Sequence, residues 1–258
     1  MPRRLAFAFF IFIFFTLTFF TTAAIAEPPL RVAVEDHYPP YSFKNEKGEM
    51  DGFNVDIAKA LAKSMGVRCE IVSVAWDDML PRLSAGDYDA IVACMAVKPE
   101  RLKFADFTDY YLRSKTGFIG RKEMSNDTSV EAMTGKTLAS QEGTAQLAYL
   151  KKVYGKVATV RGYPSMEEGF LAVADKRADL CLTPLLAGLE FLKSDKGQHC
   201  DIIGPALTET QFTYAPAHIA VKKGNKALLF ALNNALRSIR ANGEYSIISR
   251  KYFPFSVY

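Results

Sequence analysis

Arg101 follows an apolar run, Asp89 to Met95, across the turn Lys98-Pro99-Glu100-Arg101. The run has the composition of a strand buried on both faces of a parallel sheet, and Pro99 suits the first position of a helical turn. In open α/β sheets ligands sit outside the carboxyl ends of strands, and a guanidinium grips a carboxylate through paired hydrogen bonds. Arg101 and the backbone N–H groups around Met95 to Val97 therefore make a seat for a small carboxylate. A second anion seat lies at Glu142-Gly143-Thr144-Ala145, between a strand at Lys136 to Gln141 and a helix with Leu147, Leu150 and Tyr154 on one face. A helix amino end there offers free N–H groups and a hydroxyl, although a Gly-Thr pair alone is more often a plain helix cap. These features describe a binding site and no reaction.

The 258 residues are enough for two modest cores. Residues 1–26 read as a leader: Arg3 and Arg4, the apolar run Leu5 to Phe20 broken only by Thr16 and Thr18, then Ala24-Ile25-Ala26 before Glu27. The run is shorter than the ~20 residues that a span needs, and no cysteine beside the cleavage site points to a lipid anchor. Without Arg3 and Arg4, 30 basic residues face 28 acidic ones, a net charge of +2. No basic stripe exists for nucleic acid, and no second apolar segment could span a membrane. Cys69, Cys94, Cys181 and Cys200 are too widely spaced for a zinc knuckle or a C-x-x-C pair, so no metal, no cofactor and no essential disulfide is expected.

The positioning elements follow in order. Leu30 to Val34 reads as the first strand and runs into Glu35-Asp36-His37-Tyr38-Pro39-Pro40-Tyr41, whose tyrosines are either ligand walls or a loop packing on itself. Ile57, Ala58, Leu61, Ala62 and Met65 recur at helical spacing, with Asn54 as cap and Gly66 as stop. Cys69 to Val74 is a strand, and Trp76-Asp77-Asp78 opens a helix with Met79, Leu80 and Leu83 inward. Lys115 to Gly120 starts a second unit, and the halves echo each other. Met79-x-x-x-Leu83 ending in Asp87-Tyr88-Asp89 resembles Met166-x-x-Gly169-Phe170 ending in Arg177-Ala178-Asp179, each before an apolar strand. His218 to Lys222 is another strand, Lys226 to Ala241 an amphipathic helix, and the aromatic end from Tyr245 should pack on the first unit.

The segments GFNVDIAKALAKSMGV, WDDMLPRLSAGDYDAIVACMAVKPERLKFADFTDYY, GKTLASQEGTAQ and NGEYSIISRKYFPFSVY resemble the periplasmic solute-binding proteins of polar amino acid ABC importers over essentially all of residues 28–258. The FPFSVY tail is similar to the histidine, lysine/arginine/ornithine and opine branch. The resemblance implies an α/β, two-lobed type II binding protein with a hinge of two crossing segments, near Tyr111 to Arg113 and Tyr214 to Ala217. Lobe one would comprise residues 27–112 and 218–258, lobe two residues 113–217. It also implies a periplasmic monomer that gives an amino acid or opine-like carboxylate to a permease in the inner membrane.

Carried over, Tyr38 and Trp76 would wall the ligand side chain, Arg101 would grip the carboxylate, and the Thr144 hydroxyl and helix start would complete its seat. Glu35 stands where cation-binding relatives carry an acid. The expected binding set is Glu35, Tyr38, Trp76, Ala93, Met95, Ala96, Arg101, Gln141, Thr144, Ala145 and Thr183, with no catalytic residue. Three departures matter. Ala93, Cys94 and Ala96 replace small hydroxyl residues, Ala62 stands where some relatives pair a helix cysteine with the Cys69 position, and Pro184 replaces the aspartate that holds an α-ammonium. The rival of another class is an exported cyclohexadienyl (prephenate or arogenate) dehydratase, which resembles the same fold. It needs a general acid in the cleft, and the next acid after Asp179 is Glu190, too far along.

Overall fold

The apolar runs become the central strands of two sheets in the computed structural model, which describes residues 28–207, 216–253 and 257. The expected leader, most of the second crossing and part of the aromatic tail lie outside these residues. The first unit holds β1 (Leu30–Glu35), a small ribbon of β2 (Phe43–Lys44) and β3 (Met50–Asp51), α1 (Phe53–Ser64), β4 (Cys69–Val74), α2 (Met79–Ala85), β5 (Ala90–Ala96) and β6 (Ala105–Leu112). The second holds β7 (Thr116–Arg121), β8 (Thr137–Gln141), α3 (Ala145–Tyr154), β9 (Thr159–Tyr163), α4 (Met166–Ala174), β10 (Leu180–Pro184), α5 (Leu185–Leu192) and β11 (Cys200–Ile203). The chain then returns as β12 (Ala217–Lys222), α6 (Lys226–Ala241) and α7 (Glu244–Tyr252).

One sheet has the order β4-β1-β5-β12-β6 and the other β11-β7-β10-β8-β9. In the first, β1 runs parallel to β4 and β5, and β12 is antiparallel to β5 and β6. In the second, β8 runs parallel to β9 and β10, and β7 is antiparallel to β10 and β11. The succession β1-α1-β4-α2-β5 thus repeats as β8-α3-β9-α4-β10, which is the echo read between Met79 and Met166. Both sheets are α/β layers whose parallel strands end at the interface between lobes.

Local sequence accounts for the element ends. Ile57, Ala58, Leu61 and Ala62 of α1 are buried at helical spacing. Gly52 precedes the helix at φ 120°, where a β-carbon would lie 2.5 Å from the Tyr41 carbonyl oxygen, so glycine is required. Asn54 is not the cap that its residue type suggested. It sits inside the first turn, fully buried, and its side-chain oxygen accepts from the Tyr111 hydroxyl at 2.7 Å. The Pro99 segment forms a turn ahead of a single 3-10 turn at Arg101–Lys103. Trp76–Asp78 is likewise a 3-10 turn leading into α2.

The carboxyl end of the chain packs on lobe one. Phe53 lies with its ring centroid 5.2 Å from Phe253, 6.1 Å from Tyr245 and 6.2 Å from both Tyr111 and Tyr252. The Tyr245 hydroxyl donates to the Tyr111 carbonyl at 2.5 Å, which ties α7 to the end of β6 where the chain leaves for lobe two. All four cysteine thiols are free. Among the described residues no helix is long and apolar enough to cross a membrane.

Phe53 contributes a fully buried ring at the centre of these contacts. Phe53→Ala should lower unfolding free energy by about 3–5 kcal/mol in urea titration, against about 0.5 kcal/mol or less for Ile247→Ala, which is 70% exposed. A loss below about 1 kcal/mol at Phe53 would show that the aromatic cluster does not hold the carboxyl end in place.

Candidate functional site

The carboxyl ends of β1 and β5 face those of β8 and β10 across a cleft, and the cavity between them is lined from both sides. Lobe one supplies Glu35, Tyr38, Tyr41, Trp76, Ala93, Cys94, Ala96 and Arg101. Lobe two supplies Thr116, Gln141, Thr144, Ala145, Gln146, Met166 and Pro184, and Leu112, Ser114 and Ala217 close the hinge side. The lobes touch in this structure, so the cleft is in its closed form. Gln141 Nε2 donates to Glu35 Oε1 at 2.5 Å, Arg101 Nη2 to the Gly143 carbonyl at 3.0 Å and Lys98 Nζ to the same carbonyl at 3.1 Å. His37 Nε2 lies 2.9 Å from Glu167 Oε2 at the outer edge.

Arg101 is built in from three directions. It is 6% exposed, Nη1 donates to the Ala96 carbonyl at 2.7 Å, and its guanidinium lies 5.2 Å from the Trp76 ring centroid. Burial pulls its ionisation down to about 10, which leaves it a cation at neutral pH. Both hydrogen-bond partners are neutral carbonyls, so no carboxylate is bonded to it. Gly143 can pass above it only as glycine: φ is +65°, and a β-carbon would lie 3.1 Å from Trp76 Nε1.

The other charge is Glu35, the last residue of β1, only 2% exposed. Oε1 takes the Gln141 bond, and Oε2 is buried with no hydrogen-bond partner. Burial pushes this carboxyl up to about 8, opposed by the Gln141 bond and reinforced by Asp36 and Asp77. In this closed form Glu35 therefore holds a proton at neutral pH, and a ligand cation placed at Oε2 would take the proton's position.

Cys94 sets the floor between them. It has φ +52° within β5, where pairing with β12 slips between His218 and Ala220. Its backbone N–H donates to the Tyr111 hydroxyl at 2.9 Å, and its thiol sits 3.6 Å from the Asn54 side-chain oxygen. A non-glycine residue in the left-handed region stores strain that only the surrounding contacts can hold, and such residues gather at ligand sites.

Of the expected residues, Glu35, Tyr38, Trp76, Ala93, Ala96, Arg101, Gln141, Thr144 and Ala145 line this cavity. Met95 and Thr183 do not. The Met95 side chain is buried in the lobe-one core with Met79 and Leu83, and it borders a neighbouring cavity instead. Thr183 is fully buried and its hydroxyl donates to the Pro184 carbonyl at 3.2 Å, since alternation along β10 turns Pro184 and not Thr183 to the cleft. The Thr144 hydroxyl donates to the Gln141 carbonyl at 2.7 Å and accepts from Leu147 N at 3.2 Å, capping α3. The oxygen makes the cap and the proton goes to Gln141, so the groups left for an anion are the first-turn amides of Ala145 and Gln146. Residues not singled out as binding groups include Ser114, Thr116, Gln146 and Met166. Ser114 and Thr116 follow directly on the predicted crossing at Arg113, which was a usable signal; Met166 had none beyond its place in the repeated helix.

Comparison with known proteins places this architecture. Residues 30–255 match the family model for bacterial extracellular solute-binding proteins, family 3. The L-arginine-binding protein of Pseudomonas aeruginosa is 33% identical over 237 residues, covering 90% of this chain and 91% of the relative. The ABC transporter arginine-binding protein 1 of Escherichia coli K12 is 32% identical, covering 92% and 96%. An ancestral arginine-binding protein bound to arginine superposes with a TM-score of 0.80 at 32% identity, over 87% of this chain and 98% of that one.

Glu35 makes closure depend on pH. Its carboxyl is raised in the closed form above the ordinary 4.5 to about 8, so closing an empty cleft takes up a proton between these values. At low pH, where the carboxyl is protonated in either form, closure carries no penalty from this group; the penalty grows as pH rises and is complete above about 8. The radius of gyration of ligand-free protein in small-angle scattering should therefore fall as pH drops from 8 to 5. In Glu35→Gln it should stay near the low-pH value throughout. Identical scattering of wild type and Glu35→Gln at pH 8 would rule out the Glu35 penalty.

Proposed function

The chain belongs to the bacterial extracellular solute-binding proteins, family 3, and on that premise we propose that it captures a small carboxylate bearing a cationic group and hands it to an ABC permease in the inner membrane. It does so as a periplasmic monomer, once residues 1–26 are removed. The observation that carries this reading is the combination, in one inter-lobe cleft, of a buried arginine whose hydrogen bonds go only to carbonyls and a buried acid with an unbonded oxygen. Arg101, with the amides of Ala145 and Gln146, takes the carboxylate, and Trp76 and Tyr38 wall the chain of the ligand. Glu35 takes the cation. Because the relatives named above bind arginine, basic amino acids and their carboxylate analogues form the first panel to test.

The dehydratase alternative is not favoured. Glu190, the acid considered for it, lies on α5 outside the cleft cavity and pairs with Lys193 at 2.7 Å. The relatives named above are binding proteins. Incubation with prephenate should release no phenylpyruvate.

Arg101→Ala should remove roughly 2 to 5 kcal/mol of affinity in calorimetry while circular dichroism stays unchanged. Saturating ligand should shrink the radius of gyration of the wild type at pH 8, because the two halves of the seat lie on different lobes. Wild-type affinity in Arg101→Ala would show that the carboxylate seat lies elsewhere.

A further inference from the structure

Among the described residues, those lining the cleft include too few acids for an ordinary basic amino acid. Among the residues lining the cavity, Arg101 is the cation and Glu35 the acid, and the lobe-two wall of Thr116, Gln141, Thr144, Gln146, Met166 and Pro184 carries no formal charge. A basic α-amino acid brings two cations and one carboxylate. One ammonium would then be buried against neutral groups, which is costly.

Geometry decides which cation Glu35 serves. An α-ammonium lies one carbon from the carboxylate, so its acid must lie beside the arginine that holds that carboxylate. Arg101 follows β5 and contacts Ala96 and Gly143, whereas Glu35 ends β1 and contacts Gln141. The lobe-two wall offers no substitute. Pro184 has no side-chain acceptor and no N–H, and its carbonyl already accepts from Thr183. The Ser114 hydroxyl donates to the Lys115 carbonyl at 3.1 Å.

We propose that the ligand carries one carboxylate at the Arg101 end, one cationic group at the Glu35 end, and no free ammonium beside the carboxylate. The chemical class is an ω-guanidino or ω-amino alkanoate, or a basic amino acid acylated on its α-nitrogen. This rests on the reading of the cleft as a carboxylate-plus-cation site and narrows it.

The test is calorimetry on the full mature chain, stripped of bound solute by unfolding and refolding. The probes are L-arginine, 5-guanidinopentanoate, which is arginine without its α-ammonium, and Nα-acetylarginine. 5-Guanidinopentanoate should bind at least tenfold tighter than arginine, and acetylarginine tells whether the space facing Pro184 admits an acyl group. Pro184→Asp should reverse the preference for the free amino acid; aspartate is favoured at the helix cap that Pro184 occupies, so the variant should fold. Should it not fold, the wild-type ranking alone decides. Arginine binding as tightly as 5-guanidinopentanoate or tighter, and lost in Arg101→Ala, overturns this inference and leaves the carboxylate seat standing. If none of the three binds at millimolar concentration, the carboxylate-plus-cation reading falls, and this inference with it.

Discussion

Closing the two lobes takes the Arg101 cation out of water and pushes the Glu35 carboxyl towards its protonated form, without pairing the two. That constraint organises the structure. A direct ion pair between Arg101 and Glu35 would hold the cleft shut with nothing inside. Placing them at the ends of different strands leaves each with only neutral partners, carbonyls for the guanidinium and the Gln141 amide for the carboxyl. Desolvating an unpaired charge costs several kcal/mol, and a ligand that brings the opposite charges removes the cost. Affinity and closure are then the same event, since a ligand can shift the equilibrium only by its difference in affinity for the two forms.

The backbone does much of the positioning. Gly143 lets a carbonyl reach over Arg101 from the facing lobe, and Thr144 caps α3 so that its first-turn amides point into the cleft. Cys94 is held in the left-handed region by the Tyr111 hydroxyl, which also donates to buried Asn54. Tyr111 sits next to the chain crossing and is tied to α7 through Tyr245. One hydrogen-bonded set thus joins the floor of the cleft, the core of lobe one and the start of the hinge.

Most of the fold was legible because the signals were local and periodic. The α1 face, β4, α6 and the repeat of Met79 in Met166 follow from apolar spacing, and Arg101 follows from its place after a buried strand. The misreadings share a cause: residue type was taken for role. Asn54 has a capping side chain, but a buried tyrosine claimed it. Thr183 and Met95 were placed in the cleft by their neighbours in sequence, while alternation along the strand turned them into the cores. The acid with a raised ionisation could be located in sequence as Glu35, yet its burial depends on Gln141, 106 residues away, and no local pattern carries that.

The two lobes repeat one β-α-β-α-β succession but divide the labour unequally. Among the residues lining the cleft, both charges belong to lobe one, and lobe two contributes amides, amide side chains, a methionine and a proline. Long-range attraction of a charged solute therefore acts on lobe one, where Glu35 ends β1 and Arg101 lies in the turn that follows the adjacent strand β5. Lobe two adds short-range contacts that exist only at hydrogen-bond distance: the first-turn amides of α3, the Gln141 side chain and the Gly143 carbonyl. On the proposed reading, an open form would hold the ligand on lobe one through its charges; closing would add directional bonds and exclude water, which strengthens charge contacts. Order of binding is thus written into which copy of the repeat kept the ionisable residues.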